Sequence, residues 1–189
     1  MEDEARLVQQ ARDDLQAFGV LYDRYVERIY AYAQRETGDV ATAEDIVSAT
    51  FEKALKHLPS YRWRGTSFGA WLYKIARNEL RMHWRKQKWI VPLRGTVPLR
   101  GIFRSSVSVE QTVQAKDDSD ALKVALRRLS SADQEILRLR YYESLSQSEI
   151  AEVLNCSPNS AAVRLHRALK RLRTQMARLA PEVILDVET

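Results

Sequence analysis

Apolar side chains recur every three or four positions along the first ninety residues, a spacing that predicts helices. A first helix is predicted from about Asp14 to Glu36, and the Gly38-Asp39 pair ends it. A second helix is predicted from about Val40 to Leu58. The inward positions of the two helices are Leu15, Phe18, Leu21, Tyr22, Tyr25 and Ile29, then Ile46, Val47, Phe51, Ala54 and Leu55.

A polar and basic loop, Pro59–Ser67, separates these helices from a third. Ser67 is a suitable N-cap for that helix, which runs to about Lys88. Its core side consists of Trp71, Leu72, Ile75, Ala76 and Leu80. The three helices define a first domain over residues 1–88.

Residues 89–119 have a different composition, in which Val91–Gly95 is repeated as Val97–Gly101. Prolines and glycines inside the repeat disfavour regular structure, and a Ser-rich and then acidic stretch follows. This segment is therefore predicted to be an interdomain linker. We assign the repeat itself no chemistry.

A second helical domain is predicted over residues 120–178, followed by a short mixed tail at 179–189. Either Ser130 or Ser131 begins a helix that continues through Tyr142. The whole chain is therefore expected to be all-α, with two small helical domains.

The segment Ser146–Arg173 has the features of a helix-turn-helix. Ser146 and Glu149 form the S-x-x-E capping box that starts a helix. Asn155 falls where the chain must turn, and asparagine tolerates the left-handed conformation. Ser157-Pro158 then supplies an N-cap and a first-turn proline for a second helix.

That second helix is apolar on one side and cationic on the other, which suits the major groove of DNA. The buried stripe is predicted at Ala161, Leu165, Ala168 and Leu172. The opposite face carries Asn159, Val163, His166 and Lys170, flanked by Arg164, Arg167 and Arg171. No acidic residue occurs from Pro158 to Met176. The alternative is an ordinary amphipathic helix with a solvated basic face.

Charge is distributed unevenly along the 189 residues. Residues 1–56 carry 7 Lys/Arg against 12 Asp/Glu, whereas residues 57–189 carry 23 against 13. An acidic front and a basic remainder suggest two partners, a basic or mixed protein surface and a nucleic acid. Few glycines and prolines disfavour an all-β fold, and one cysteine fits a reducing cytoplasm. An acidic N-terminus and the lack of a long apolar run predict neither signal peptide nor membrane insertion.

A second nucleic-acid signal lies in Tyr61–Lys88, which holds eight Lys/Arg against Glu79 alone. All four tryptophans of the chain fall between Trp63 and Trp89. Aromatic rings among cations suit single-stranded nucleic acid, because bases stack on the rings. For Trp71 a core position is favoured, whereas Trp63 and the Arg81–Lys88 run are expected at nucleic acid.

Enzymatic chemistry finds no support in the sequence, and neither a cofactor nor a metal is expected. His57, His83 and His166 lack metal-ligand spacing with Cys156, which is expected to be a small buried residue. Glycine-rich phosphate loops and nucleophile–base patterns are missing too.

Three segments of the first domain together resemble region two of bacterial sigma factors. They are Phe18-x-x-Leu21-Tyr22-x-x-Tyr25, Ala43–Leu55 and Ser67–Arg85. Leu129–Arg173 resembles region four of the same family. With two domains and a short linker, the chain is similar to the extracytoplasmic-function (ECF) type. The resemblance implies a protein that binds the clamp helices and flap of core RNA polymerase, recognises two promoter elements and opens the duplex.

The resemblance also implies roles for individual residues of the first domain. Docking on the polymerase clamp is implied for Asp45, Ile46, Ser48, Ala49 and Phe51, although the family usually has Gln-Glu at Ser48-Ala49. Capture of a flipped minus-ten base is implied for the Tyr61–Ser67 loop and Asn78. The full minus-ten set is Tyr61, Arg62, Trp63, Arg64, Ser67, Lys74, Asn78, Arg81 and Arg85.

For the second domain the resemblance implies that the basic helix reads the minus-thirty-five element. Family members usually have Lys or Arg and then Ser where this chain has Ala162-Val163. Arg164, His166 and Arg167 are thereby left to specify or hold the DNA, with Val163 suited to a thymine methyl group. The implied set is Asn159, Ser160, Val163, Arg164, His166, Arg167, Lys170 and Arg171.

Two other functions compete with this interpretation. One is a stand-alone helix-turn-helix regulator with a helical sensor domain, and the other is an adaptor whose basic faces bind acidic proteins. The Trp63–Lys88 segment favours the sigma factor, because a regulator of duplex DNA has no use for a second aromatic and cationic surface. An anti-sigma factor is a further partner that the resemblance implies.

Overall fold

A computed structural model describes residues 2–63, 65–90 and 113–179 of the chain. These residues form eight α-helices and no strand, so the predicted all-α class is confirmed. The helices are α1 Glu2–Gln10, α2 Leu15–Thr37, α3 Val40–His57, α4 Phe68–Ile90, α5 Val113–Arg127, α6 Ser131–Tyr141, α7 Gln147–Leu154 and α8 Pro158–Leu179.

The helices belong to two compact units. The N-terminal unit is built on α1–α4, and the C-terminal unit on α5, α6, most of α7 and α8. The repeat Val91–Gly95 and Val97–Gly101 lies outside the described residues, as does the tail from residue 180 onward. Helix α5 begins at Val113, within the segment predicted as linker.

Local capping sets the ends of the first long helices, and Gly38 ends the first of them as the sequence predicted. The Asp14 carboxylate accepts a hydrogen bond from Gln16 N at 2.8 Å at the start of α2. Gly38 ends that helix in the left-handed conformation (φ 69°). Asp39 then caps α3 by accepting from Thr42 N at 2.8 Å.

The core of the N-terminal unit lies where α2, α3 and α4 meet. Its most deeply buried large side chains are Leu21, Ile29, Thr50, Leu58, Phe68, Leu72 and Tyr73. Three positions predicted to face inward are instead exposed: Leu15 (71%), Tyr22 (40%) and Leu55 (39%). The predicted apolar stripes on α2 and α3 are thus wider than the faces of these helices that are buried in the core.

Helix α1 was missed by the sequence prediction, which began at Asp14. It packs on α2 and α4 and buries Val8, and Ala11 directly after the helix is buried as well, each being 2% exposed. A second buried position of α1 is Glu4, a carboxylate that hydrophobic periodicity does not register. The helix therefore has too few large apolar residues to be recognised by pattern.

The C-terminal unit packs α5, α6 and α8 together around Leu129, Ile136 and Leu139. Ser130 is the N-cap of α6, because its hydroxyl accepts from Asp133 N at 3.2 Å. The predicted cap is therefore confirmed at the first of the two serines.

Candidate functional site

The helix-turn-helix forms as its local sequence predicts. Ser146 N donates to Glu149 Oε2 at 2.8 Å, and Glu149 N donates to Ser146 Oγ at 3.3 Å, which completes the capping box. Asn155 adopts φ 52°, the left-handed conformation expected of the turn. Ser157 Oγ accepts from Ser160 N at 3.2 Å and starts α8. The Gln147 side chain donates to the Pro158 carbonyl at 2.9 Å, which fixes α7 to the first residue of α8.

Helix α8 presents the face that the sequence predicted for DNA. Ala161 and Ala168 are 1% and 0% exposed and hold the helix on the core, with Leu165 and Leu172 half-buried beside them. Ser160 is half-buried and accepts a hydrogen bond from Ser157 Oγ. The exposed members of the predicted set are Asn159, Val163, Arg164, His166, Arg167, Lys170 and Arg171.

Arg171 differs from the other cations of this set because it forms an ion pair inside the unit. Its Nη1 lies 2.8 Å from Asp133 Oδ1, and Asp133 is only 8% exposed. The same carboxylate accepts from Ser130 Oγ at 2.7 Å. The resemblance placed Arg171 in the minus-thirty-five set, and in the structure its guanidinium helps to hold α8 on α6.

The loop before α4 places its aromatic residues in two different environments. Tyr61 is 8% exposed, with its ring centroid 4.5 Å from Trp71 and 5.8 Å from Phe68. The Tyr61 ring therefore packs against α4 and does not offer an open face on which a base stacks. Trp63 is half-buried and the adjacent Arg62 is exposed.

The same loop ends at the cap of α4. Ser67 Oγ accepts from Ala70 N at 3.3 Å, which confirms Ser67 as the predicted N-cap. Arg64 lies outside the described residues.

One face of α4 carries the remaining predicted minus-ten residues. Lys74, Asn78, Arg81 and Arg85 are spaced by four, three and four positions, which aligns them along the helix. Asn78, Arg81 and Arg85 are exposed, and Lys74 is half-buried. Glu79, the one acid of Tyr61–Lys88, is paired with Lys53 at 2.6 Å. This pairing offsets the one negative charge of that segment.

An open groove of about 520 Å³ runs between α2 and α3. Its lining residues are Tyr22, Val26, Glu27, Tyr30, Glu44, Val47 and Ser48. Phe51 lies beneath it, 5% exposed, with its ring centroid 4.6 Å from that of Tyr22. Sequence reasoning found the α3 side and missed the α2 side, because Tyr22 was assigned to the core.

The five residues predicted for polymerase docking separate by depth. Asp45 and Ser48 are exposed on α3, and Ala49 is half-buried. Ile46 and Phe51 are each 5% exposed and belong to the core. Because they are buried, Ile46 and Phe51 support the exposed positions of α3 from beneath, and we do not expect them to contact the polymerase directly.

Other chemistry is sparse in the described part of the chain. Residues 2–63, 65–90 and 113–179 contain no group of three potential metal ligands. Cys156 is a free, half-buried thiol in the turn before α8. Among the described helices, none has the length and apolar character needed to cross a membrane.

Comparison with protein families gives two matches that coincide with these surfaces. Residues 21–90 match Sigma-70 region 2, and residues 119–172 match Sigma-70 region 4. The chain belongs to the RNA polymerase sigma factors of the ECF type. Sigma factors of this family bind core RNA polymerase and recognise promoter DNA, and both regions that do so are present here.

Two curated ECF sigma factors illustrate the relationship. BldN of Streptomyces coelicolor is 34% identical over 177 residues, which cover 93% of this chain and 65% of BldN. SigW of Bacillus subtilis is 29% identical over 178 residues, covering 90% of this chain and 95% of SigW. This chain thus spans most of the length of SigW and about two thirds of the length of BldN.

A solved sigma factor structure also resembles the chain. It is RpoE of Bartonella quintana in complex with the anti-sigma factor NepR, with 26% identity and a TM-score of 0.58. The similarity covers 91% of this sigma factor and 98% of the RpoE chain. Helix α1 and the turn after it precede residue 21, so they lie outside the region 2 match.

Proposed function

We propose that this sigma factor initiates transcription through three surfaces of its own. The α2–α3 groove binds core polymerase, the Tyr61–Ser67 loop with α4 captures the opened minus-ten element, and α8 reads the minus-thirty-five element. One observation carries the proposal: a single chain holds both an acid-rimmed groove and an exposed cationic recognition helix. Neither a stand-alone helix-turn-helix regulator nor an adaptor protein accounts for both the groove and the recognition helix.

The groove suits a polymerase helix that is apolar with basic flanks. Val26 and Val47 provide apolar lining, while Glu27 and Glu44 add negative charge. Asp45, exposed on α3 directly after Glu44, adds a further negative charge to this helix. Complementary charge speeds encounter and fixes orientation, and the buried apolar surface provides affinity. The clamp helices are the proposed occupant, and the polymerase flap is the proposed contact of the C-terminal unit.

Base capture is proposed for Trp63 and Asn78, with Tyr61 as the support beneath the loop. Stacking on an aromatic ring is worth about 1–3 kcal/mol per base. Extruding a base costs a few kcal/mol, so the free energy of one stacking contact is comparable with the cost of opening. The cationic face of α4 draws the displaced strand along Arg81 and Arg85.

Reading of the upstream element is proposed for the exposed N-terminal half of α8. Arg164 and Arg167 are the proposed contacts to base edges because both are exposed there, and Val163, 41% exposed, suits a thymine methyl group. Ala162 and Val163 replace the polar readers usual in the family, so the preferred promoter differs from those of relatives.

An anti-sigma factor is a proposed regulatory partner. The support is the similarity to RpoE, whose structure was solved with the anti-sigma factor NepR. Because core polymerase and promoter DNA are in the cytoplasm, we also propose that the protein acts there, without catalysing a reaction itself.

Two experiments test the proposal. The purified protein is mixed with core polymerase and separated by size exclusion, where co-elution is expected. The reconstituted enzyme then transcribes a random promoter library, and the enriched templates should share two spaced elements. If the protein binds duplex DNA but does not co-elute with core polymerase, its function is instead that of a stand-alone helix-turn-helix regulator.

A further inference from the structure

The proposed base-capture loop is held at its first residue by an arginine from outside the sigma regions. Arg12 follows α1, and its Nη2 donates a hydrogen bond to the Tyr61 carbonyl oxygen. The two residues are 49 positions apart in sequence. Tyr61 N donates to Leu58 O at 3.0 Å, so both backbone groups of Tyr61 are engaged.

The other end of the loop is held through α1 as well. Gly69, in the first turn of α4, donates its backbone N–H to the Tyr25 hydroxyl, which in turn donates to Glu4 Oε1. Burial, together with the Glu4 contact, raises the pKa of Tyr25 well above its ordinary value, so the phenol stays protonated.

The close approach behind this contact depends on glycine. A Cβ at position 69 would lie 2.6 Å from Tyr25 Cε1, which is too near for two non-bonded carbons. Glu4 and Tyr25 are 8% and 4% exposed, so this hydrogen-bonded chain is shielded from water.

The anchor of these contacts is α1 itself. Val8 and Ala11 are each 2% exposed in the core, which fixes the helix before the chain reaches Arg12.

We propose that α1 with Arg12, termed the N-terminal brace, positions the Tyr61–Ser67 loop for base capture. This rests on the proposed role of that loop in promoter opening. A loop already fixed at both ends loses less conformational entropy when it closes on a base than a free loop does. Arg12 and Glu4 are therefore positioning residues that act through Tyr61, Tyr25 and Gly69.

The test compares Arg12→Gln with Arg6→Gln in the full-length protein. Both changes remove one positive charge from the same short segment, and both side chains are exposed, so folding is preserved. Arg12→Lys is the conservative variant and should restore part of the effect. Tyr25→Phe cuts the contact at the other end, with its thermal midpoint measured in parallel.

The first readout is amide hydrogen exchange of the free protein. Arg12→Gln should speed exchange in peptides covering residues 61–67 by about fivefold, as expected for the loss of one charge-assisted hydrogen bond. Peptides from α2 and α3 should be unchanged, and Arg6→Gln should match the parent everywhere.

The second readout is permanganate reactivity of promoter thymines with core polymerase present. The template is a promoter that the parent protein selects from a random library. Arg12→Gln should lower the open fraction about fivefold on the duplex and restore it on the same template carrying a pre-opened bubble.

Each outcome decides the proposal. It is overturned if Arg12→Gln and Arg6→Gln behave alike, or if loop exchange rises while opening is unchanged. Faster exchange throughout the N-terminal unit, with equal losses on both templates, also overturns it, because Arg12 then only stabilises the fold. If the parent opens no promoter, the proposed function fails, and hydrogen exchange still decides whether the brace holds the loop.

Discussion

Nη1 of Arg171 lies 2.8 and 2.9 Å from the two carboxylate oxygens of Asp133, which joins the recognition helix α8 to the first turn of α6. Asp133 is held in turn by Ser130, the cap of α6. The orientation of the proposed DNA-reading face therefore depends on an ion pair that the charge pattern of α8 does not reveal.

Arg171→Ala should destabilise the C-terminal unit by about 1 kcal/mol, since the pair is partly buried and 58% of the Arg171 side chain remains exposed. A double-mutant cycle with Asp133→Ala isolates the coupling, measured by urea unfolding. Arg173→Ala, exposed on the same helix, is the matched control and should be neutral. Additive effects of the two changes would mean that the pair contributes nothing.

Arg167→Ala should relax the preferred upstream element, because a bidentate arginine–guanine pair provides about 1–3 kcal/mol of discrimination. Lys170→Ala should weaken all sequences equally and reduce the salt slope by about one, as a phosphate contact does. Selection from a random promoter library, with binding measured across salt concentrations, separates the two results. If both variants weaken binding to all sequences equally, Arg167 does not read a base.

The pair of changes Trp63→Ala and Asn78→Ala should impair opening more than initial binding. One lost stack costs about 1–3 kcal/mol, enough to shift a near-balanced opening step. Permanganate-reactive thymines should fall sharply on the duplex promoter and much less on a pre-opened template. Equal losses on both templates would place the defect in polymerase docking.

Asp45→Arg should weaken binding to core polymerase by about tenfold, because it reverses an exposed negative charge next to Glu44 on α3. Asp13→Arg makes the same reversal at an exposed position outside the groove and should bind normally. Co-elution is measured by size exclusion and helical content by circular dichroism. Parent-like affinity of Asp45→Arg would show that the docking face lies elsewhere.

Asp39 predicts a pH-dependent contribution to stability. Its hydrogen bonds from Thr42, the side chain first and then the backbone N–H, hold the pKa of this carboxyl below its ordinary value. The cap is therefore fully effective above the ordinary pKa of aspartate and is lost as the pH falls through the lowered value. Asp39→Ala should lower the thermal midpoint at pH about 7 and differ little from the parent at pH about 2. An equal difference at both pH values would exclude this account.

Sequence patterns located most of the fold because its signals are local. Caps at Ser67, Ser130 and Ser146 and the left-handed turn at Asn155 depend only on neighbouring residues, and the structure shows each of them. The exposed cations of α8 follow from the helical period in the same way.

What the sequence did not reveal depends on contacts between distant residues. Helix α1 is buried partly through Glu4, whose partner Tyr25 lies 21 positions away. Tyr61 begins the loop for which base capture was implied, yet Trp71 and Phe68 pack against its ring. The pairing of Arg171 with Asp133, 38 positions earlier, likewise has no local signature.

Gly69 and Tyr25 also limit how this protein is able to diverge. Any side chain at position 69 requires a smaller or displaced residue at position 25, since no space separates them. Replacing the tyrosine removes the hydroxyl that Glu4 and Gly69 share, so the buried Glu4 carboxylate loses a hydrogen-bond donor. Positions 4, 25 and 69 are therefore expected to covary across descendants of this sequence, although they lie on three different helices and far apart in the chain.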